Sequence, residues 1–230
     1  MFSLMPSQSY RPFRSSIIKK QVMALTGLMM CGFLVVHLAG NLLLFKGPQV
    51  FNQYAFLMLT NPVIGALEWL LAGLFIIHAL FGIALIVQNR RARPTPYAVR
   101  STLARGSSIS FLSMSITGPL LLVFLILHLL DFRFGAEHTV EQGGLVMRDL
   151  YRSVVEFYQN PWQVAAYMLA MGIVALHIQH GFWSAFQTFG VNHPRYNGII
   201  TFCASAFAVL MLVGFAVIPL YFFLAGSAPT

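Results

Sequence analysis

Five runs of apolar residues, each long enough to cross a bilayer, constrain this chain more than any other feature. They cover about residues 21–45, 62–87, 109–130, 162–189 and 198–224. A spanning helix needs about 20 such residues, because it rises about 1.5 Å per residue through a hydrocarbon core about 30 Å thick. Only 9% of the 230 residues are charged, against about 25% in a soluble domain. The expected fold is all-α, a single transmembrane domain over residues 1–230 in which five helices form an integral membrane bundle.

The loops give an orientation. Arg11, Arg14, Lys19, Lys20, Arg90, Arg91, Arg93, Arg100, Arg105 and Arg195 fall on one side, and Lys46, Arg133, Arg148 and Arg152 on the other. The second side also holds Asp131, Glu137, Glu141, Asp149 and Glu156. The positive-inside bias puts the N-terminus in the cytoplasm and the C-terminus outside a bacterial cytoplasmic membrane. It also explains the net charge of +8 without any nucleic-acid partner. Trp69, Trp162, Tyr54 and Tyr158 fall near outer helix ends, where an aromatic belt is expected. The polar N-terminus has no apolar signal core, so a cleaved secretory signal is not expected. In the long outer loop, 131–160, apolar residues of 145–157 recur among charges at helical spacing, which predicts a short amphipathic surface helix. Pro62 and Pro161 sit at helix starts, whereas Pro119 and Pro219 lie inside helices. No internal repeat is read from the sequence.

Histidines carry the functional argument. His37, His78 and His128 lie in the first three runs, and His177 and His180 in the fourth. An ionisable residue inside a membrane points to function by default, and bundles build cofactor sites from facing helices. Helical rise places His37 and His128 about 25 and about 28 Å from the inner end, and His78, His177 and His180 at about 15, about 20 and about 15 Å. Two levels result: His37 with His128 outside, and His78 with His177 or His180 inside. Two imidazoles at one depth can grip a haem iron from both faces, and filled axial positions suit electron transfer. Gly82 and Gly181, each four residues beyond an inner histidine, would let a macrocycle approach the backbone. Lys19, Lys20, Arg90, Arg91 and Gln187 are candidate propionate partners. Zinc would be under-ligated by two residues per level, and no Met/Cys/His cluster indicates copper. Cys31 and Cys203 read as buried bystanders, and no C-x-x-C-H motif for covalent haem occurs.

Several segments are similar to a known family. Ser15-Ser16-Ile17-Ile18-Lys19-Lys20 leads into Met23-Ala24-Leu25-Thr26-Gly27 and His37-Leu38-Ala39-Gly40-Asn41-Leu42. Tyr158-Gln159-Asn160-Pro161-Trp162 and the stretch from His177-Ile178-Gln179-His180-Gly181 to Thr188 follow. Together they resemble the cytochrome b subunit of the succinate dehydrogenase/fumarate reductase family, in its five-helix, two-haem form. The resemblance implies a membrane anchor for an iron–sulfur subunit and a flavoprotein subunit. Electrons would pass from succinate through FAD and iron–sulfur clusters on those partners to membrane quinone (menaquinone or ubiquinone), or in reverse to fumarate. It implies that His78 and His177 ligate a proximal haem b, and His37 and His128 a distal one. His177 is preferred to His180 because the family ligand precedes a glycine by four residues. His180 is then left for a propionate or quinone. Some relatives carry a glutamate two residues before that ligand; Ala175 stands there, so a glutamate proton path of that kind is not expected. Ser16 and Lys20 could border an inner quinone site. Glu68, the one acid within an apolar run, could serve an outer site, its plainer reading being an interfacial helix-end acid.

Two other classes stay open at this point. One is a two-haem cytochrome b subunit of a hydrogenase or formate dehydrogenase. The other is a transporter using histidines as a proton relay without haem.

Overall fold

The computed structural model describes residues 16–92, 108–135 and 138–226. Arg11, Arg14, Arg93, Arg100, Arg105 and Glu137, used above for orientation, lie outside the described residues. The elements are α1 (Ser16–Asn41), a 3₁₀ turn (Leu42–Lys46), α2 (Pro48–Thr60), α3 (Pro62–Ala92) and α4 (Ser108–His128). A wide π turn (Leu129–Arg133), β1 (Thr139–Gln142), β2 (Leu145–Arg148), α5 (Leu150–Phe157), α6 (Pro161–Thr188) and α7 (Pro194–Ala225) follow. Among the described residues, α1, α3, α4, α6 and α7 are long and apolar enough to cross a membrane.

Local chemistry sets the helix starts. Pro62, Pro161 and Pro194 each occupy a first helical position, where a missing N–H costs nothing. The residue before each proline caps the helix. Asn61 Oδ1 accepts from the Val63 N–H at 2.9 Å, Asn160 Oδ1 from Trp162 at 2.9 Å, and His193 Nδ1 from Arg195 at 3.2 Å. At the other end of α7, Gly226 adopts a φ of 75°. Pro119 and Pro219 lie inside continuous helices.

α6 is the hub and packs against α1, α4 and α7, while α1 also packs against α3. Small buried residues (Ala170, Ala175 and Ala185 on α6; Ala204, Ala208 and Ala216 on α7) let backbones approach. Large apolar side chains such as Trp69, Trp162 and Phe202 are exposed. That is the expected surface of a protein whose solvent is lipid.

The connections between spans form a cap over one end of the bundle. α2, which lies between the first two apolar runs, is amphipathic and buries Phe51, Asn52 and Ala55. The long connection also differs from expectation. Leu145–Arg148 is a strand, not the first turn of a helix, and pairs antiparallel with Thr139–Gln142. Gly143 and Gly144, at φ 62° and 77°, supply the two-residue turn that this hairpin requires. The amphipathic helix is the shorter α5. It packs on the bundle through Val154 and Val155, which join Leu44, Phe51, Tyr167 and Phe222 in one apolar cluster.

Asn52 ties the cap together and is only 1% exposed. Its amide donates to Asp149 Oδ1 at 2.8 Å, and its oxygen accepts from the Tyr151 N–H at 2.9 Å. Asp149 Oδ1 also accepts from the Arg152 N–H at 3.0 Å, capping α5. Asn52→Ala should therefore cost about 1–3 kcal/mol by leaving these groups unpaired, read as a lowered thermal midpoint in detergent. On the exposed face of α5, a hydrogen bond from Arg152 (2.7 Å) holds Glu156 below the ordinary glutamate range, with His138 adding to it. A lowered carboxylate pKa stabilises the folded state above the unfolded value and stops doing so as pH falls through the folded value. The midpoint difference between the protein and Glu156→Gln should therefore shrink on acidification.

Candidate site: two tiers of paired histidines

The histidines meet in pairs, one from each of four spans. His37 of α1 faces His128 of α4 near the capped end, with ring centroids 5.8 Å apart and planes at 89°. His78 of α3 faces His177 of α6 deeper in the bundle, at 6.4 Å and 67°. A first-row metal lies about 2 Å from an imidazole nitrogen, hence about 3 Å from the ring centroid, so two rings on opposite sides of one ion stand about 6 Å apart. Both separations fit that span. His180, one turn beyond His177 on α6, lies 6.2 Å from Trp183.

The lower pair is oriented by hydroxyls. Thr26 Oγ1 stands 3.1 Å from His78 Nδ1, and Thr117 Oγ1 stands 3.1 Å from His177 Nδ1. The Thr26 hydroxyl donates to the Val22 carbonyl at 2.8 Å. It can therefore only accept from His78, which puts the imidazole proton on Nδ1 and leaves the Nε2 lone pair bare. A ligand histidine characteristically spends its second nitrogen in this way. Thr26 and Thr117 are both buried.

Beside each hydroxyl is a glycine. A Cβ on Gly27 would lie 3.3 Å from His78 Cε1, and one on Gly118 would lie 3.7 Å from His177 Cε1. The glycines touching the lower histidines are thus Gly27 and Gly118. Gly82 would meet only Met23 at 3.9 Å, and Gly181 nothing within 4 Å.

A repeat emerges that the linear reading missed. In α1, Thr26-Gly27 precedes His37, and in α4, Thr117-Gly118 precedes His128, with eleven residues from threonine to histidine in both. In α3 and α6, His78 and His177 each precede a glycine by four residues. Each of α1 and α4 thus supplies a hydroxyl to the lower tier and an imidazole to the upper one.

The upper pair sits among aromatic rings. Phe33 stacks on His37 at 5.2 Å and Phe215 lies 5.7 Å away. Phe132 and Phe124 flank His128 at 5.4 and 5.7 Å. The Asn41 carboxamide lies 3.4 Å from His37 Nε2, and Tyr167 Oη lies 3.5 Å from His128 Nδ1.

The other predicted residues stand apart from the pairs. Ser16 and Lys20 are exposed at the uncapped end of α1, where Arg90 and Arg91 end α3. Glu68, on α3 toward the cap, makes an exposed ion pair with Arg133 at 3.6 Å. Gln187 is used locally, donating to the Val191 carbonyl at 3.3 Å and to Asn197 Oδ1 at 3.4 Å.

Five apolar spans define an integral membrane protein, and the core of this one carries imidazoles that face one another in pairs. The chain is similar to the succinate dehydrogenase cytochrome b558 subunit of Bacillus subtilis (strain 168), with 26% identity over 79% of this chain and 85% of that one. That likeness supports the resemblance to the succinate dehydrogenase cytochrome b family read from the sequence. No family model matches the chain, and no solved structure matches it.

Filling the space beside His78 should disturb its placement. Gly27→Val should lower the thermal midpoint of the detergent-solubilised protein by the equivalent of about 1–3 kcal/mol of overpacking. Gly32→Val, on the same helix with nothing within 4 Å, should leave the midpoint nearly unchanged.

Proposed function

We propose that this chain is the haem b-carrying membrane anchor of a succinate:quinone oxidoreductase or quinol:fumarate reductase. The observation that carries the reading is the pairing of imidazoles from four helices at the spacing of two axial ligands, in two tiers. His78 and His177 would hold the iron of one haem b, and His37 and His128 that of a second. His177 is chosen over His180 because it is the ring that faces His78 and has Thr117 on its Nδ1. Haem with both axial positions filled supplies one-electron transfer and leaves no position for oxygen.

The chain's own residues provide orientation and exclusion. Thr26 and Thr117 would hold the lower imidazoles in the tautomer that presents Nε2. The aromatic rings around His37 and His128 would keep water from the upper tier. His180, beside Trp183, is a candidate contact for a propionate or quinone. The exposed basic end formed by Lys20, Arg90 and Arg91 suits an iron–sulfur subunit docked with its flavoprotein partner, FAD and the clusters belonging to those subunits. Positive-inside bias makes this end cytoplasmic and the C-terminus external. Ser16 and Lys20 are candidates for an inner quinone site (menaquinone or ubiquinone), and Glu68 for an outer one.

A reduced-minus-oxidised visible spectrum of the purified protein should show b-type haem, and its absence would favour a haem-free proton relay. Co-purification should recover iron–sulfur and flavoprotein subunits that oxidise succinate or reduce fumarate. A hydrogenase or formate dehydrogenase partner would overturn the assignment. His37→Ala or His128→Ala should remove one haem, and His78→Ala or His177→Ala the other. Thr26→Val or Thr117→Val should weaken retention of the lower haem about 10–100-fold.

A further inference from the structure

We infer that Tyr167 and Asp131 are positioning residues for the upper tier, linking a carboxylate through a phenol to the second nitrogen of His128. The inference rests on the reading that His37 and His128 hold a haem. It goes beyond that reading by assigning two residues that are not ligands.

The geometry is a chain of three groups. Tyr167 Oη donates to Asp131 Oδ2 at 2.7 Å, and the same oxygen lies 3.5 Å from His128 Nδ1. A phenol has one proton to donate, and an ionised carboxylate can only accept. With that proton directed at Asp131, Tyr167 offers His128 only a lone pair. A hydrogen bond between the two then requires His128 to carry its proton on Nδ1 and present a bare Nε2. A carboxylate two groups away thereby selects the tautomer. The lower tier differs in kind, since the Thr26 proton goes to a neutral backbone carbonyl.

The fold is arranged to make this contact. α4 ends at His128, and the π turn Leu129–Arg133 that follows carries Asp131. Such wide turns recur at functional sites. Ring contacts hold Tyr167 in place: Phe157 at 5.2 Å, Phe124 at 5.3 Å, Tyr158 at 5.5 Å and Phe132 at 5.9 Å. Hydrogen-bonding the second nitrogen of a ligand histidine toward a carboxylate raises the ligand's basicity. A more basic axial nitrogen favours oxidised iron, so the linkage holds down the reduction potential of the upper haem.

The test is a redox titration of the haem-loaded complex, followed at the visible α band, with low-temperature electron paramagnetic resonance of the oxidised haems. Tyr167→Phe keeps the ring and deletes the hydroxyl. It should raise the potential of the haem that His128→Ala removes, shift that haem's resonance, and leave the other haem unmoved. Asp131→Asn should move the same potential in the same direction. Tyr158→Phe, which removes a buried hydroxyl from the same aromatic cluster, should move neither. An unchanged upper potential in Tyr167→Phe with both haems bound would overturn the inference, as would an equal shift in Tyr158→Phe. If Tyr167→Phe does not assemble, Asp131→Asn decides alone. Absence of haem from the unaltered protein would instead defeat the underlying functional reading.

Discussion

A ring nitrogen carried into a bilayer has to be satisfied there, and this bundle is organised around that requirement. Imidazole has two nitrogens, and the fold gives them different work. In the lower tier, a threonine from a neighbouring helix meets Nδ1 of each ring, and at His78 it fixes the tautomer, because the Thr26 hydroxyl already donates to its own backbone. The contacts Thr26–His78 and Thr117–His177 join α1 to α3 and α4 to α6. They are thus helix–helix ties as well as site geometry. Polar contacts of this sort matter in a membrane because association there has little hydrophobic driving force.

The rest of the architecture keeps these ties in register. α6 sits between α1, α4 and α7, and its His177 meets Thr117 of α4 and His78 of α3. The cap over one end is built from the connections between spans. Its hairpin, α2 and α5 meet around a single buried carboxamide, that of Asn52. Tyr167 belongs both to the apolar cluster beneath this cap and to the surroundings of His128. A disturbance of the cap would consequently be felt at the upper histidines.

The spans were legible in the sequence because length and apolarity alone decide them, and Pro62 and Pro161 marked two starts. The two levels of histidines were legible because helical rise converts sequence position into depth. α2 was not, since residues 48–60 mix polar and apolar groups and are buried by elements distant in sequence. Leu145–Arg148 was misread because a four-residue strand has too few alternations to oppose a helical pattern; the Gly143-Gly144 pair was the signal to weigh. Thr26 and Thr117 were passed over because a threonine within a helix ordinarily bonds its own backbone. Thr26 does that as well, and only the fold reveals that the same oxygen meets a ring 52 residues away. The α1/α4 correspondence was missed because it rests on three residues per helix amid unrelated apolar sequence.

That correspondence has a mechanical consequence. Eleven residues are close to three full turns and advance about 16 Å along the axis, so Thr26 and His37 project from one side of one helix, as do Thr117 and His128. α1 and α4 therefore act as rulers: each sets the gap between the storeys of the bundle and ties them to a common vertical reference. A slide or rotation of either helix would shift a hydroxyl in one storey and an imidazole in the other in one movement.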